Sequence, residues 1–452
     1  MRFLKLLLFI VLLSTSGQLF AGINIQGLEY NLDGSEKSAV AVGLSGDQTD
    51  IVVPGSVIFN GNEYAVVRVK GDIFQNSKVT SVTFSEDFNG EIDDENSPFF
   101  ENCSELVSVV WPRNLDSVPW CCFKNCQKLK SVSWSNTIRT IGSQAFQDCT
   151  SLESISLPDS LKTIEWDTFN NCTSLQKITI PPSVENIEND AFLGCSFLSF
   201  RIEDGMTNIV LNNIGCTVQD LYIGRKPLHN SWDWGSSLNL VSLTIAKAAG
   251  IAEGFSNCTT LKSTTLLVDT IANNAFQGCS ALENVTFSAT LDSIGEYAFS
   301  ATGITEVSIP VSAVHLGNGI FENCQTLSSV QLFDGMTEIP NGIFWGCVSL
   351  STIKLPTTVK SIGGGAFSNS GLSTVSLPAG LQTIGSAAFS DCKIDSIVIP
   401  DGVRKIEEST FFSCKSLKAI VLSKNIESVG DAAFHNLKNL HVYYNGTLKD
   451  WC

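Results

Sequence analysis

"IGSQAFQDCTSLESISLPDSLKT", residues Ile141 to Thr163, is followed at once by "IEWDTFNNCTSLQKITIPPSVEN", residues Ile164 to Asn186. The two stretches keep isoleucine, phenylalanine, cysteine, leucine and proline at matching positions. A period this short and regular predicts a solenoid in which each unit buries its apolar side against its neighbours. The phenylalanine recurs every 22 or 23 residues in two series, at Phe100, Phe123, Phe146, Phe169 and Phe192, and at Phe276, Phe299, Phe321, Phe344, Phe367, Phe389, Phe411 and Phe434.

Each unit carries one phrase that is typical of a strand. In "LESISLP", Ile155 and Leu157 alternate with Ser154 and Ser156, so that one face is apolar and the other polar. Pro158 comes after the alternation, where its missing N–H does least harm to a ladder. Two helices do not fit into so short a unit. We therefore expect a parallel β-sheet on one face, with short strands and helical turns returning the chain on the other.

The repeated pattern resembles that of the BspA-type bacterial leucine-rich repeats. The pattern is Ile-x-x-x-Ala-Phe-x-x-Cys-x-x-Leu-x-x-Ile-x-Leu-Pro, as in Ile141 to Pro158. The likeness covers most of residues 69–452. It implies a curved, surface-exposed or secreted protein of host-associated anaerobic bacteria, with adhesion or protein binding as its activity.

The sequence divides into three segments. Residues 1–21, with Arg2 and Lys5 ahead of a short apolar run, are typical of a secretory signal peptide, and a cut near Gly17 is the alternative to one after Ala21. Residues 22–68 are predicted to form an N-terminal β cap, with a hairpin at Asn60-Gly61. Residues 69–452 are predicted to form the leucine-rich-repeat solenoid. Degenerate coils and a loop interrupt it at about residues 204–250.

Charge and hydropathy exclude two classes of partner. The formal net charge is −17, which repels nucleic acid and anionic lipid. No later run approaches the roughly 20 apolar residues that a membrane helix needs, so no span is expected in the mature chain. We expect an exported protein, at the cell surface or secreted, whose partner is an extracellular protein or glycan from host matrix or another bacterial surface.

The cysteines are predicted to be core residues. There are 15, and 11 of them occupy the place three residues after the repeated phenylalanine, as Cys149 does. Thr302, Ser370 and Leu437 fill that place elsewhere, so a neighbouring cysteine would lack an obligate disulfide partner. Disulfides and a metal are the weaker alternatives, since in-register side chains point in parallel and zinc prefers closely spaced cysteine pairs. Buried free thiols explain the pattern best.

The sequence offers little to support catalysis. The four histidines are scattered over different coils, and neither a nucleophile elbow nor a phosphate loop is present. We therefore expect no enzyme, no cofactor and no metal. Residues 86–105 are rich in acids, which predicts a solvated loop, with an ion site as the alternative. Asp-Ser-Leu at Asp159 and similar triplets are either O-glycosylation sites or the small polar residues that the repeat places before its apolar anchor.

One stretch of the sequence combines basic and aromatic residues and is the predicted binding site. "GRKPLHNSWDWGSS" breaks the regular frame and carries Arg225, Trp232 and Trp234, residue types in which binding energy concentrates. The alternative is that its tryptophans seal the degenerate coils. Trp120 and Trp166 are second candidates. The function that follows is a non-enzymatic extracellular binding or adhesion scaffold; a carbohydrate-binding or carbohydrate-processing exported protein is the alternative.

Overall fold

The computed structural model describes residues 18–93, 98–213, 215–228 and 239–447. The chain divides into two compact units. The first comprises Met1–Ser196 with Leu211–Gly215, and the second comprises Phe197–Val210 with Cys216–Cys452. Apart from the sheet at the start of the first unit, each unit is a stack of short parallel strands, which is the solenoid that the sequence predicts.

The first unit begins with a mixed sheet that continues directly into the coils. The predicted hairpin is present, with Asn60 and Gly61 both at positive φ between two antiparallel strands. Asn62–Lys70 then pairs in parallel with Glu91–Asp93, and Asp50–Val53 pairs in parallel with Ser81–Phe84. Glu91–Asp93 therefore belongs to this mixed sheet, whereas Asp50–Val53 is the edge strand of a separate parallel sheet. The strands of the mixed sheet are Leu19–Ile25, Leu28–Asp33, Ser38–Leu44, Ser56–Phe59, Asn62–Lys70 and Glu91–Asp93.

The strand at the start of this sheet lies at the predicted signal-peptide boundary. Leu19–Ile25 pairs antiparallel with Leu28–Asp33, and the backbone N–H of Gly34 donates to the carbonyl of Gln18. A cut near Gly17 keeps this strand whole, whereas a cut after Ala21 removes its first three residues.

Two parallel ladders run along each unit. We call the ladder that precedes the repeated proline the long ladder, and the ladder of mostly two-residue strands the short ladder. In the first unit the long-ladder strands are Asp50–Val53, Ser81–Phe84, Ser108–Val110, Ser131–Ser133 and Lys177–Ile180. The short-ladder strands there are Ser117–Val118, Thr140–Ile141, Thr163–Ile164 and Asn186–Ile187.

The second unit repeats the arrangement over more coils. Its long-ladder strands are Thr217–Ile223, Ser242–Ile245, Ser263–Leu266, Asn284–Phe287, Glu306–Ser308, Ser329–Gln331, Thr352–Ile353, Thr374–Val375, Ser396–Val398, Ala419–Leu422 and His441–Tyr444. Its short-ladder strands are Pro227–Leu228, Ile251–Ala252, Thr270–Ile271, Ser293–Ile294, His315–Leu316, Glu338–Ile339, Ser361–Ile362, Thr383–Ile384, Lys405–Ile406 and Ser428–Val429. Two further strands, Ser196–Ile202 and Ile209–Leu211, contain residues of both units.

Helix is nearly absent from the part of the chain that the structure describes. A single 3₁₀ turn, Lys247–Ala249, is found there, so the helical turns expected opposite the long ladder are almost entirely replaced by two-residue strands and hydrogen-bonded turns. No helix in the described ranges is long and apolar enough to cross a membrane.

The return side turns sharply twice in most of the described coils. In the coil of Phe146, the residues two before and two after the phenylalanine, Gln144 and Asp148, have φ of 58° and 61°. Asparagine, aspartate and glycine tolerate this left-handed conformation best. The Asn and Gly that commonly precede the repeated cysteine, such as Asn125 and Gly278, satisfy this backbone requirement.

Stacked phenylalanines form the interior of both units. Phe123 and Phe146 have ring centroids 4.9 Å apart, and Phe146 and Phe169 have centroids 5.2 Å apart, with interplanar angles of 23° and 12°. The same contact joins Phe344 to Phe321 and Phe367 in the second unit. All of these side chains are fully buried. The phenylalanine therefore recurs from coil to coil because each ring packs on the next.

The cysteines lie in the same interior, as the core interpretation predicts. The fourteen cysteines within the described ranges are buried, and Cys149 and Cys347 are examples of free thiols among them. The thiol of Cys149 donates to the carbonyl of Phe123 in the preceding coil, at 3.1 Å, and the thiol of Cys347 likewise donates to Phe321, at 3.2 Å. A buried carbonyl thereby gains a weak donor. Cys-to-carbonyl contacts of this kind explain why a small side chain with a hydrogen to donate recurs at this place.

One coil departs from the expected pattern. The segment 152–158, which contains the phrase that predicts the strand, does not form a strand. The indole of Trp134 in the preceding coil donates to the Ser156 carbonyl at 2.8 Å. A side chain thus occupies an acceptor that a ladder would otherwise use.

Candidate binding surfaces

The outward side of the long ladder is lined by exposed, mostly polar side chains. In the second unit the alternation places Val307, Ile353 and Ile397 inside and their neighbours outside. Because the apolar side chains point inward, the outward polar groups can bind a partner while the core stays buried. The exposed positions there are Glu306, Ser308, Ser329, Gln331, Thr352, Lys354, Thr374, Ser376, Ser396 and Val398. We call this set the strand face.

An open groove lies at the later part of the strand face. It has a volume of about 590 Å³ and is lined by residues that include Ser376, Ser396 and Val398. In the first unit the corresponding positions Ser131, Ser133, Lys177 and Thr179 are also exposed. None of these side chains is aromatic, so the surface offers hydrogen bonds rather than a large apolar anchor.

Arg225 lies in the interior rather than on a surface. Its side chain is fully buried, and its guanidinium donates from Nη1 to Oγ1 of Thr207 at 3.3 Å. Within the described residues, Arg225 is therefore part of the interior of the degenerate coils. Trp232 and Trp234, the other members of this predicted site, lie outside the described residues.

The degenerate coils carry a cluster that the sequence analysis did not single out. The Arg201 guanidinium stacks over the Tyr222 ring, 3.7 Å from its centroid, and the Tyr222 hydroxyl donates to Oδ1 of Asp204 at 2.7 Å. Burial and the neighbouring Asp204 raise the pKa of Tyr222. The three residues are 3 to 21 positions apart, and only the pairing of neighbouring coils brings them together.

Trp120 and Trp166 are both on the surface. Their side chains are 46% and 58% exposed. Each lies two residues after its short-ladder strand, and those strands pair in register through Thr140–Ile141. Ser143 occupies the equivalent place in the intervening coil. The two indoles are therefore two coils apart at one position of the repeat, or about 10 Å at the strand spacing.

Acidic and amide side chains surround Trp166. Its Nε1 donates to Oε2 of Glu188 at 3.1 Å, and Nδ2 of Asn212 donates to the same oxygen at 2.9 Å. Burial, with a contribution from Glu188, raises the pKa of Glu165. Neither Glu188 nor Asn212 was predicted as a partner of Trp166. The 23-residue spacing of Glu188 from Glu165 was the signal that could have found the first of them.

Ion pairs neutralise part of the acidic region at 86–105. Glu86 pairs with Arg113 at 2.6 Å, and Glu105 pairs with Lys128 at 2.7 Å. Asp94 and Glu95 lie outside the described residues. Within the described ranges no group of three or more His, Cys, Asp or Glu side chains could hold a metal ion.

Comparison with known proteins gives a family. The model described as BspA type leucine rich repeat region matches six copies, over residues 94–213, 251–354 and 337–451, which is more than half of the chain. No curated protein matches the chain.

Several solved structures are similar to this chain. A leucine-rich repeat protein from Bacteroides ovatus has 21% identity and a TM-score of 0.41, over 93% of this chain and 99% of that one. A leucine rich cell surface protein from Faecalibacterium prausnitzii has 18% identity and a TM-score of 0.30, over 97% of each. The pneumococcal vaccine antigen PcpA has 14% identity and a TM-score of 0.33, over 96% of this chain and 100% of that one.

Proposed function

Because the chain belongs to the BspA-type leucine-rich-repeat family, we propose that it is a non-enzymatic binding scaffold that acts outside the cell. It is exported, stays at the cell surface or is released, and recognises an extracellular protein or glycan across its strand face. Adhesion to host matrix or to another bacterial surface is the role that this binding serves.

The observation that carries the proposal is the exposed row of small polar side chains along the strand face. Serine and threonine hydroxyls both donate and accept hydrogen bonds, and they lose little rotamer entropy when a partner fixes them. Successive coils repeat them at about 4.8 Å, so that weak contacts add along an extended partner. Such a surface suits a macromolecule better than a small ligand, which binds in a largely enclosed, mostly apolar cleft.

The acidic balance of the chain restricts the partner. A formal charge of −17 favours neutral or basic partners and slows association with acidic ones. A basic protein segment or a neutral glycan meets this condition, and both lie within the class proposed here.

The test measures binding and then its location. The full chain without its leader is screened against arrays of glycans and matrix proteins, and a partner with micromolar or tighter affinity is expected. Absence of any partner at about 10 μM, near the −7 kcal/mol that this concentration represents, would reject the scaffold.

Two matched variants locate the surface. Thr352→Glu/Thr374→Glu places two charges on the strand face, while Thr337→Glu/Thr383→Glu places two at exposed positions of the short-ladder side, since Thr383 lies in a short-ladder strand and Thr337 directly precedes one. The first pair is expected to weaken binding about tenfold or more, and the second to leave it unchanged. Equal binding by both variants would remove the strand face from the proposal. Release of reducing sugar from any bound glycan would overturn the non-enzymatic assignment.

A further inference from the structure

We propose that Trp120 and Trp166 form a neutral-glycan site on the first unit, in which one sugar ring stacks on each indole. None of its residues belongs to the strand face of the second unit. It deepens the proposed function by naming a ligand class, and it rests on that function to the extent that the chain is a binding protein.

The repeat itself does not require the two indoles. Ser143 and Asn189 fill the same place in neighbouring coils, so the coil folds without tryptophan there. Rings that stay half exposed to water gain only part of the energy that full burial would give. A ligand that covers them supplies the energy that the coil does not.

The backbone holds both tryptophans in fixed positions. The N–H of Cys121 donates to the Ser143 carbonyl, and the N–H of Gln144 donates to the Trp166 carbonyl, each at 2.9 Å. A Cβ added to Gly142 would lie 2.7 Å from the Trp120 nitrogen, so the coils are in close contact here. A platform ordered before binding loses less entropy when a ligand arrives.

Hydrogen bonds fix the orientation of one ring. The Nε1–H of Trp166 is directed to Glu188, which also accepts from Asn212. The edge of this indole is therefore occupied while its side chain remains 58% exposed. Aromatic faces of this kind pack on the C–H faces of pyranose rings, and adjacent carboxylate and amide groups accept from sugar hydroxyls.

Spacing and charge identify the ligand. The separation of about 10 Å between equivalent positions two coils apart suits two sugars with a third between them. Glu165 and Glu188 make the surroundings of Trp166 acidic. The nearby Lys124 ammonium is a cation, but it donates to the Gln144 side chain, at 3.0 Å. Uronate and sulfated glycans are repelled by this charge. The occupant is therefore a neutral oligosaccharide of three or more sugars.

The experiment is isothermal titration of the full chain without its leader. The probes are the neutral hexasaccharides of cellulose, laminarin, mannan and xylan, with hexagalacturonate as the acidic comparison. At least one neutral hexasaccharide is expected to bind, and hexagalacturonate is expected to bind more weakly than it. Failure of all four neutral probes, or tighter binding of hexagalacturonate, would overturn the inference.

Variants then assign the binding to the tryptophans. Trp120→Ala/Trp166→Ala is expected to lower the affinity for the neutral probe about tenfold or more, because two stacking contacts are lost, and to leave the melting temperature unchanged. Trp166→Phe keeps a ring and is expected to bind within about threefold of the parent. Trp345→Ala, a control at a 37% exposed tryptophan of the second unit, is expected to leave the affinity for the neutral probe unchanged.

The two proposals fail differently. Undiminished binding by Trp120→Ala/Trp166→Ala would overturn the glycan site. Loss of binding in Thr352→Glu/Thr374→Glu, with the tryptophan variants unaffected, would place the sugar on the strand face; the scaffold would then survive and this site would not.

Discussion

The interior column and the tryptophan row of the first unit share one period but differ in composition. The interior place holds phenylalanine in each coil from Phe100 to Phe192, whereas the surface place holds Trp120, Ser143, Trp166 and Asn189 in succession. The interior rings contact one another, with stacked centroids 4.9 Å apart between Phe123 and Phe146. The surface residues face water, so each coil is free to vary there. A position that keeps one residue type from coil to coil is therefore constrained by packing between coils. A position whose residue type varies is not constrained in this way, so a binding residue can occupy it.

Of the changes predicted here, alkaline pH should cause the largest loss of stability, and it should act through the buried thiols of the interior. Burial raises the pKa of Cys195 and Cys414 to about 12 and that of Cys324 and Cys392 to about 11, against about 8.5 for an unfolded thiol. Because the folded pKa is raised, the stabilisation is complete below pH of about 8.5 and is lost as the pH rises toward 11 to 12. Each thiol then removes up to about 1.4 kcal/mol per pH unit.

Urea unfolding at a series of pH values from about 8 to about 10, on either side of the unfolded thiol pKa, measures this loss, and the midpoint is expected to fall steeply. Cys392→Ser is the control, since Ser370 already fills the same place in the preceding coil. Its stability should depend less on pH than that of the parent. A midpoint that stays constant over the whole series would show that the thiols are not buried and would remove them from the interior column.

Phe344→Ala should give the next largest effect. The ring is fully buried between Phe321 and Phe367, at centroid distances of 6.0 and 5.7 Å, so truncation leaves a cavity costing about 3–5 kcal/mol. Trp345→Ala changes the adjacent, partly exposed side chain and should cost about 1 kcal/mol. Chemical denaturation of the two variants gives both values. Equal costs would mean that the contrast between interior and surface does not hold in this coil.

Trp166→Ala should have the smallest effect on stability. The side chain is 58% exposed and its coil position tolerates serine and asparagine, so the free energy of unfolding should change by about 0.5 kcal/mol. Denaturation of the variant without ligand provides the measurement. A loss comparable to that of Phe344→Ala would make the tryptophan a core residue and would remove the reason for assigning it a ligand.

Much of the fold could be predicted from the sequence, but less of the candidate surface. The repeated Phe-x-x-Cys and the Ser-Ile-Ser alternation predict the buried column and the ladder, because local spacing fixes which side faces inward. The burial of Arg225 could not be predicted, since a base within a basic and aromatic stretch is expected to be exposed. The missing strand at 152–158 also could not, because Trp134 competes for the Ser156 carbonyl from the preceding coil.

By itself the sequence determined the coil length, the alternation of inside and outside, and the residue types that each turn accepts. These properties depend on neighbours within one coil. Only the tertiary structure decided which side chains meet between coils: the Cys149 thiol with the Phe123 carbonyl, and the Trp166 indole with Glu188. The reason is physical. Stacking brings residues 22 to 26 positions apart into contact, and the register that selects each pair is set by the backbone hydrogen bonds between coils.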